Sequence, residues 1–261
     1  DPGGGFAVLV SGELVPANLT GNTGSDNDRN YLAAAGTLKT DFTFPTSGLQ
    51  WENLGITIPA GVHATVPAGV HPGVGRGGFW VLGDLSIQPG AVLKFDGHSP
   101  NSGPIYVQGG GSLTADGTAA DPITFTSWTD DSISGDTNRD GDIPPKDYTP
   151  PYGGWGGISG GSLSLVHVDV RYADVVSSGG PVFTVRDSSF AHGTQLLAGT
   201  NTSGGVDATV VIENNTLTDV GVVPTNPYWV FARGAGIEVY AGGDTPAVVR
   251  NNRVSGVRGE D

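Results

Sequence analysis

The chain contains no cysteine and no methionine among its 261 residues. The first absence removes disulfide staples and thiolate metal sites, and leaves the redox compartment unreadable from thiols. Positive charge is scarce as well. Lysine occurs only at Lys39, Lys94 and Lys146, Lys and Arg together number 12 against 26 Asp and Glu, and the net charge is −14. A polyanion would be repelled rather than gathered by such a surface, which argues against nucleic acid as a partner. No apolar run approaches the roughly 18 residues a membrane-spanning helix needs, so membrane insertion is not expected. Helical periodicity is nearly missing too: only "RNYLAAAGTL", residues 29–38, fits a short helix, which its glycine would end.

What the chain has instead is turn chemistry. Its 44 glycines and 18 prolines make up nearly a quarter of the residues without a collagen period. Between them recur apolar runs such as "FWVLGDLSI", "VLKF" and "TVVIENNTL", enough to bury a core. These β-branched and aromatic runs are bounded by Gly, Pro, Asn, Asp or Ser at spacings too short for helical crossovers, so the reading is all-β. The start at Asp1 with "DPGGG" reads as a mature or excised fragment. Acidity carried by aspartate more than glutamate suits a secreted protein in a medium containing divalent cations, and equally a merely solvated acidic surface.

Self-similarity points to the architecture. "LVHVDV" (165–170), "VRDSSF" (185–190), "IENNTL" (212–217) and "VRNNRV" (249–254) each place an apolar residue five positions before another: Leu165 and Val170, Val185 and Phe190, Ile212 and Leu217, Val249 and Val254. The first two copies are 20 residues apart, one turn of a parallel β-helix, and the later gaps of 27 and 37 call for inserted loops that leave the stack sideways. The fourth positions are Val168, Ser188, Asn215 and Asn252, and the two asparagines are expected to stack as a short amide ladder. The N-terminal half has a related cadence in "ITIPAGVHATVPAGVHPGV", "LSIQPGAVLKF" and "LTADGTAADPITFTSW", where a strand meets a Pro/Gly turn and resumes.

The order "GDLSIQPGAVLKF", "GGGSLTADGTAADPITFTSWTDDS", "GDTNRDGD", "GGWGGI", "SLSLVHVDVRYAD" resembles the right-handed parallel β-helix repeat proteins of bacterial secreted and surface polypeptides, over roughly residues 77–257. The resemblance implies a right-handed β-helix solenoid with loop insertions. It does not choose a function, because adhesins, stalks, polysaccharide lyases and phage depolymerases share the fold. The expected organisation is an N-terminal cap or exchanged segment at 1–40, then a parallel β-helix at 41–261 with an insertion at about 128–153.

That insertion concentrates aspartate. Asp136, Asn138, Asp140, Gly141, Asp142 and Asp147 fall at positions 1, 3, 5, 6, 7 and 12 of an EF-hand-type loop, with glycine at the sharp turn. Ca²⁺ takes six to eight oxygens, and alternating carboxylate and amide side chains on a tightly turning backbone supply them. Position 12 is Asp rather than Glu, and Pro144 with Pro145 forbids an exiting helix. The expected site is therefore an isolated structural calcium loop with ligands Asp136, Asn138, Asp140, Asp142 through its carbonyl, and Asp147.

Catalytic candidates are few. In "HVDVRYAD", strand alternation would put His167, Asp169 and Arg171 on one face, an arrangement that would suit a lyase or glycoside hydrolase working on an acidic polysaccharide, or simply a polar outer face. His63 and His71, in the two "PAGVH" copies, are a weaker candidate pair for a metal. Trp128, Tyr148, Tyr152, Trp155, Tyr228, Trp229 and Phe231 are candidates for a sugar-stacking platform or for cover at the base of a loop. The chain stops at "VSGVRGED" just after a repeat, so further coils or another subunit are expected to stack there. The leading expectation is an extracellular, non-catalytic surface or structural module for adhesion, a stalk or a filament. Its expected partners are itself, end to end, or a surface polysaccharide.

Overall fold

The computed structural model describes residues 5–27, 29–96, 103–136, 154–192, 195–199, 209–220, 236–240 and 246–257. Twenty-two strands among them form one continuous hydrogen-bonded sheet in which every strand pairing is parallel. The chain is a parallel β-helix. Parallel crossovers take the right hand almost without exception, which is the hand expected of this coil.

Each full coil contributes a short strand to each of three faces. Face one runs through the ends of Phe6–Leu14, Arg29–Leu38 and Gln50–Ile58, then Phe79–Val81, the starts of Ile105–Asp116 and Ile158–Val166, Val175–Ser178, Gln195–Gly199 and Ile237–Tyr240. Face two contains Phe42–Thr43, His63–Val66, Asp84–Ile87, the ends of Ile105–Asp116 and Ile158–Val166, Val182–Arg186, Thr209–Glu213 and Val248–Arg250. Face three begins in the first halves of Phe6–Leu14, Arg29–Leu38 and Gln50–Ile58. It continues through Gly73–Val74, Val92–Phe95, Ile123–Ser127, Val168–Arg171, Ser189–Ala191, Thr216–Thr218 and Arg253–Ser255.

The six-residue repeats stack in register. Leu165 lies beside Val185, Val185 beside Ile212 and Ile212 beside Val249, while Val170, Phe190, Leu217 and Val254 form the matching column. Inward positions are apolar and buried from Leu14 to Val220, so the core is a column enclosed by the three faces. Strand alternation explains it, since each three- to five-residue strand sends every second side chain inward.

In the last four described coils the chain turns between faces two and three on one left-handed residue each: His167, Asp187, Asn214 and Asn251, with φ between 46 and 58°. Just inside this turn the expected ladder forms. Ser188 N–H donates to Asn215 Oδ1 at 3.1 Å, and Asn215 donates to Asn252 Oδ1 from both its backbone N (3.0 Å) and its Nδ2 (2.9 Å). Ser188 Oγ continues the series by accepting from Val168 N at 3.0 Å. Asn215 Nδ2 also reaches Val185 O, and Asn252 Nδ2 reaches Ile212 O. Buried turn amides are thus satisfied from the neighbouring coil.

One expectation is overturned. Residues 29–38 are not a helix but the strand Arg29–Leu38, paired with Phe6–Leu14 on one side and Gln50–Ile58 on the other. Parallel neighbours on both edges outweigh the helix preference of its three alanines, of which Ala33 and Ala34 are fully buried. Gly36 does not end a helix; it turns the corner between faces three and one at φ +131°, where a Cβ would lie 1.9 Å from Gly12 O.

Candidate functional site

The outer side of face three carries a row of charged residues. Its outward residues come from successive coils: Arg29 and Tyr31, Glu52, Gly73, Lys94, Thr126, then Asp169 and Arg171. Register pairs Glu52 with Gly73, Gly73 with Lys94, Lys94 with Thr126, and Thr124 with Asp169. An outward row should be solvated, yet Glu52, Lys94, Thr126 and Asp130 are buried. Residues 128–136, the start of the aspartate-rich insertion, fold back over this face and cover it.

Lys94 is the centre of that cover. Its ammonium donates to the carbonyls of Ile133 (3.0 Å) and Gly135 (2.7 Å), so the backbone of the insertion wraps around it. Burial pushes its pKa below the ordinary lysine value, while Asp131, Asp130 and Asp136 act in the opposite direction. Asp130 accepts from Thr126 Oγ1 (2.6 Å) and from Ser132 Oγ, and lies 3.8 Å from Arg171 Nη1. Arg171 also clasps Asp169 through Nε (2.9 Å) and Nη2 (2.7 Å), and Ser189 donates to the other Asp169 oxygen at 2.8 Å. Burial works against the Arg171 charge, but the hydrogen bond and charge of Asp169, together with Asp130, raise its pKa overall.

Towards the N-terminal coils the same segment ends in Trp128, which packs beneath Arg29 with the guanidinium carbon 5.7 Å from its ring centroid. Arg29, Tyr31, Glu52, Gly73 and Trp128 line a small pocket. Gly73 leaves that rung open; a Cβ there would touch both Glu52 and Trp128. Glu52 faces Arg29 at 3.4 Å, and its pKa is raised from 4.5 to about 7 because burial, reinforced by Asp96, outweighs the attraction of Arg29. Asp96 in turn accepts from Arg76 Nε at 3.2 Å.

The geometry corrects one reading of the sequence. His167, Asp169 and Arg171 do not share one strand face, because His167 is the left-handed turn residue and the strand begins at Val168. Only Asp169 and Arg171 stand together, and they bond to each other. Of the two readings of the aromatic residues, Trp128 and Trp155 follow cover at the base of the insertion, since both are buried. Trp155 is fully buried, stacks on Phe95 with centroids 3.8 Å apart, and donates from Nε1 to Arg171 O. Tyr148, Tyr152, Tyr228, Trp229 and Phe231 lie outside the described residues. His63 and His71 have separate partners, Asp84 (3.0 Å) and Ser134 (3.4 Å).

Of the expected calcium ligands, Asp136 is described and stands near Lys94, whereas Asn138, Asp140, Asp142 and Asp147 lie outside the described residues. Among the described residues no three His, Asp or Glu side chains converge as a metal site. Sequence reasoning missed the burial of Lys94 and Glu52. The signal available was a lysine and a glutamate at strand positions in a chain otherwise sparing of lysine.

No family model matches the chain, and no curated protein or solved structure matches it either.

Proposed function

We propose that the chain is a non-catalytic structural module of a secreted, cell-surface assembly, such as a stalk, filament or adhesin, in which the solenoid acts as a rod. The observation that carries this reading is how face three uses its charges. Arg29 with Glu52, Arg76 with Asp96, Lys94 with the Ile133 and Gly135 carbonyls, and Arg171 with Asp130 join one coil to another or to the overlying segment, while Arg171 also holds Asp169 on its own strand. A catalytic groove on this face would hold its acid and base open to substrate; here each of these groups is engaged by an internal partner, and Glu52, Lys94, Asp96 and Asp130 are buried as well. The acid-rich insertion in this reading is a strap. Calcium held by Asp136, Asn138, Asp140, Asp142 and Asp147 would order its outer part, and end-to-end stacking of copies would extend the rod.

The test pairs a product screen with a chelator. Incubation with uronic-acid polymers should release neither unsaturated products nor new reducing ends, and removing calcium should lower the melting temperature of the wild type but not of an Asp136→Ala/Asp140→Ala variant. Product formation abolished by Asp169→Asn would establish the alternative, a polysaccharide lyase or glycoside hydrolase. An unchanged melting temperature under chelation would remove calcium from the proposal.

A further inference from the structure

Face one carries a feature that the structural role does not use. Its outward row runs, one residue per coil, through Thr37, Thr57, Trp80, Tyr106, Ser159 and Ser177, each in register with the next. Trp80 and Tyr106 are 42% and 41% exposed, and Leu82, two residues beyond Trp80, is 37% exposed. The two rings stack with centroids 5.4 Å apart and planes 26° from parallel. Trp80 Nε1 donates to Gly77 O at 3.1 Å, which fixes the indole in place before any ligand arrives.

Charge decides what this row suits. The chain has a net charge of −14, yet these six consecutive positions carry none; among the described residues the row meets carboxylates at Glu13, beside Thr37, and at Glu238, two rungs beyond Ser177 and past Leu197. A basic protein would find no carboxylate to pair with along the row, and an acidic polymer would be repelled by the surface around it. Hydroxyl groups both donate and accept, and they flank the aromatic pair on both sides: Thr37 and Thr57 on one, Ser159 and Ser177 on the other. With about 4.8 Å between parallel strands, the row is about 24 Å long and straight.

We propose that this row binds a neutral polysaccharide strand laid along the solenoid axis, with the apolar face of one sugar ring against the Trp80–Tyr106 pair and hydroxyls of neighbouring sugars on Thr57 and Ser159. The ligand is non-acidic, in contrast to the polymers of the catalytic alternative, and the site is separate from face three. This inference goes beyond the structural role and stands whether or not calcium binds.

The experiment is electrophoresis of the folded wild-type protein in native gels cast with hydroxyethylcellulose, mixed-linkage β-glucan, xyloglucan or soluble mannan, with polygalacturonate as the acidic control. At least one neutral polymer should retard the protein and polygalacturonate should not. Trp80→Ala and Tyr106→Ala should each weaken retardation about tenfold in apparent dissociation constant, as loss of one aromatic contact implies, and Trp80→Phe should keep part of it. Retardation by none of the four neutral polymers overturns the proposal. So does retardation that both alanine variants retain, or stronger retardation by polygalacturonate. If the alanine variants lose melting temperature while wild type shows no retardation, the pair is only a cross-strand stabiliser of the sheet. Should a variant fail to fold, N-bromosuccinimide oxidation of wild-type Trp80 decides: protection by the retarding polymer supports the site, and unchanged oxidation overturns it.

Discussion

Glu52 shows how the strap over face three alters the chemistry of a single residue. Its carboxyl stands on a strand position that would ordinarily face water, but Trp128 and the arriving insertion bury it, and desolvation raises its pKa to about 7 from 4.5. Arg29 opposes the shift and Asp96 adds to it. A carboxyl with a folded pKa above its unfolded one binds its proton more tightly in the native state. The stability this gives is fully present below about pH 4.5 and is lost as pH rises through about 7, the reverse of the usual acidic residue. The loss amounts to at most about 3 kcal/mol. Glu52→Gln keeps the shape and removes the titration. The difference in unfolding free energy between the variant and wild type should therefore grow in the variant's favour between pH 4.5 and 7 and be flat outside that window. Identical pH slopes in urea melts of the two proteins would show that Glu52 is not buried in this way.

At the scale of the strand and turn, stability resides in columns rather than in single coils. Asn215 illustrates this, since its side chain accepts from Ser188 N–H below and donates to Val185 O and Asn252 Oδ1. Asn215→Ala would leave the buried Ser188 amide without its acceptor, at a cost of about 2–3 kcal/mol. Its neighbour Asn214 occupies the left-handed position with an exposed side chain, so Asn214→Gly should change stability by less than about 1 kcal/mol. Equal shifts of the urea midpoint for the two variants would count against the ladder. This column was legible in the sequence because spacings of 20, 27 and 37 residues all return to the same apolar–polar–apolar hexapeptide, whatever the loop between them. Arg29–Leu38 was not legible: an alanine run has no period of two, and only the strands on both edges make it extended. His167 was misplaced because alternation was counted across a turn that only backbone dihedrals reveal. The cluster of Lys94, Asp130 and Arg171 was hidden for a different reason, since its members are brought together by a segment folding back across coils and no local pattern encodes that.

Across the whole molecule each coil is held mainly by the coil before and the coil after it, so local stability should depend on having both neighbours. The inward columns make the comparison direct. Ile212 and Leu217 are fully buried, whereas Val249 and Val254, their register partners in the last described coil, are 46% and 40% exposed. Among the described residues, strands Val248–Arg250 and Arg253–Ser255 each have one neighbouring strand, Thr209–Glu213 and Thr216–Thr218 respectively. Coils between Gln50 and Ala191 have neighbours on both sides and are further tied by the strap. Amide hydrogen exchange in dilute protein should therefore be slowest at strands such as Val92–Phe95, Ile123–Ser127 and Val168–Arg171, and fastest in the last described coil, where opening needs only one interface to break. Raising the protein concentration separates this from the proposed end-to-end stacking. If a second copy seats on that coil, its apolar valines are covered and protection of residues 248–255 rises with concentration while that of the middle coils stays constant. Protection in dilute protein already equal to that of the middle coils would mean that these strands are not held from one side only, and the nearest-neighbour account of the rod would fail.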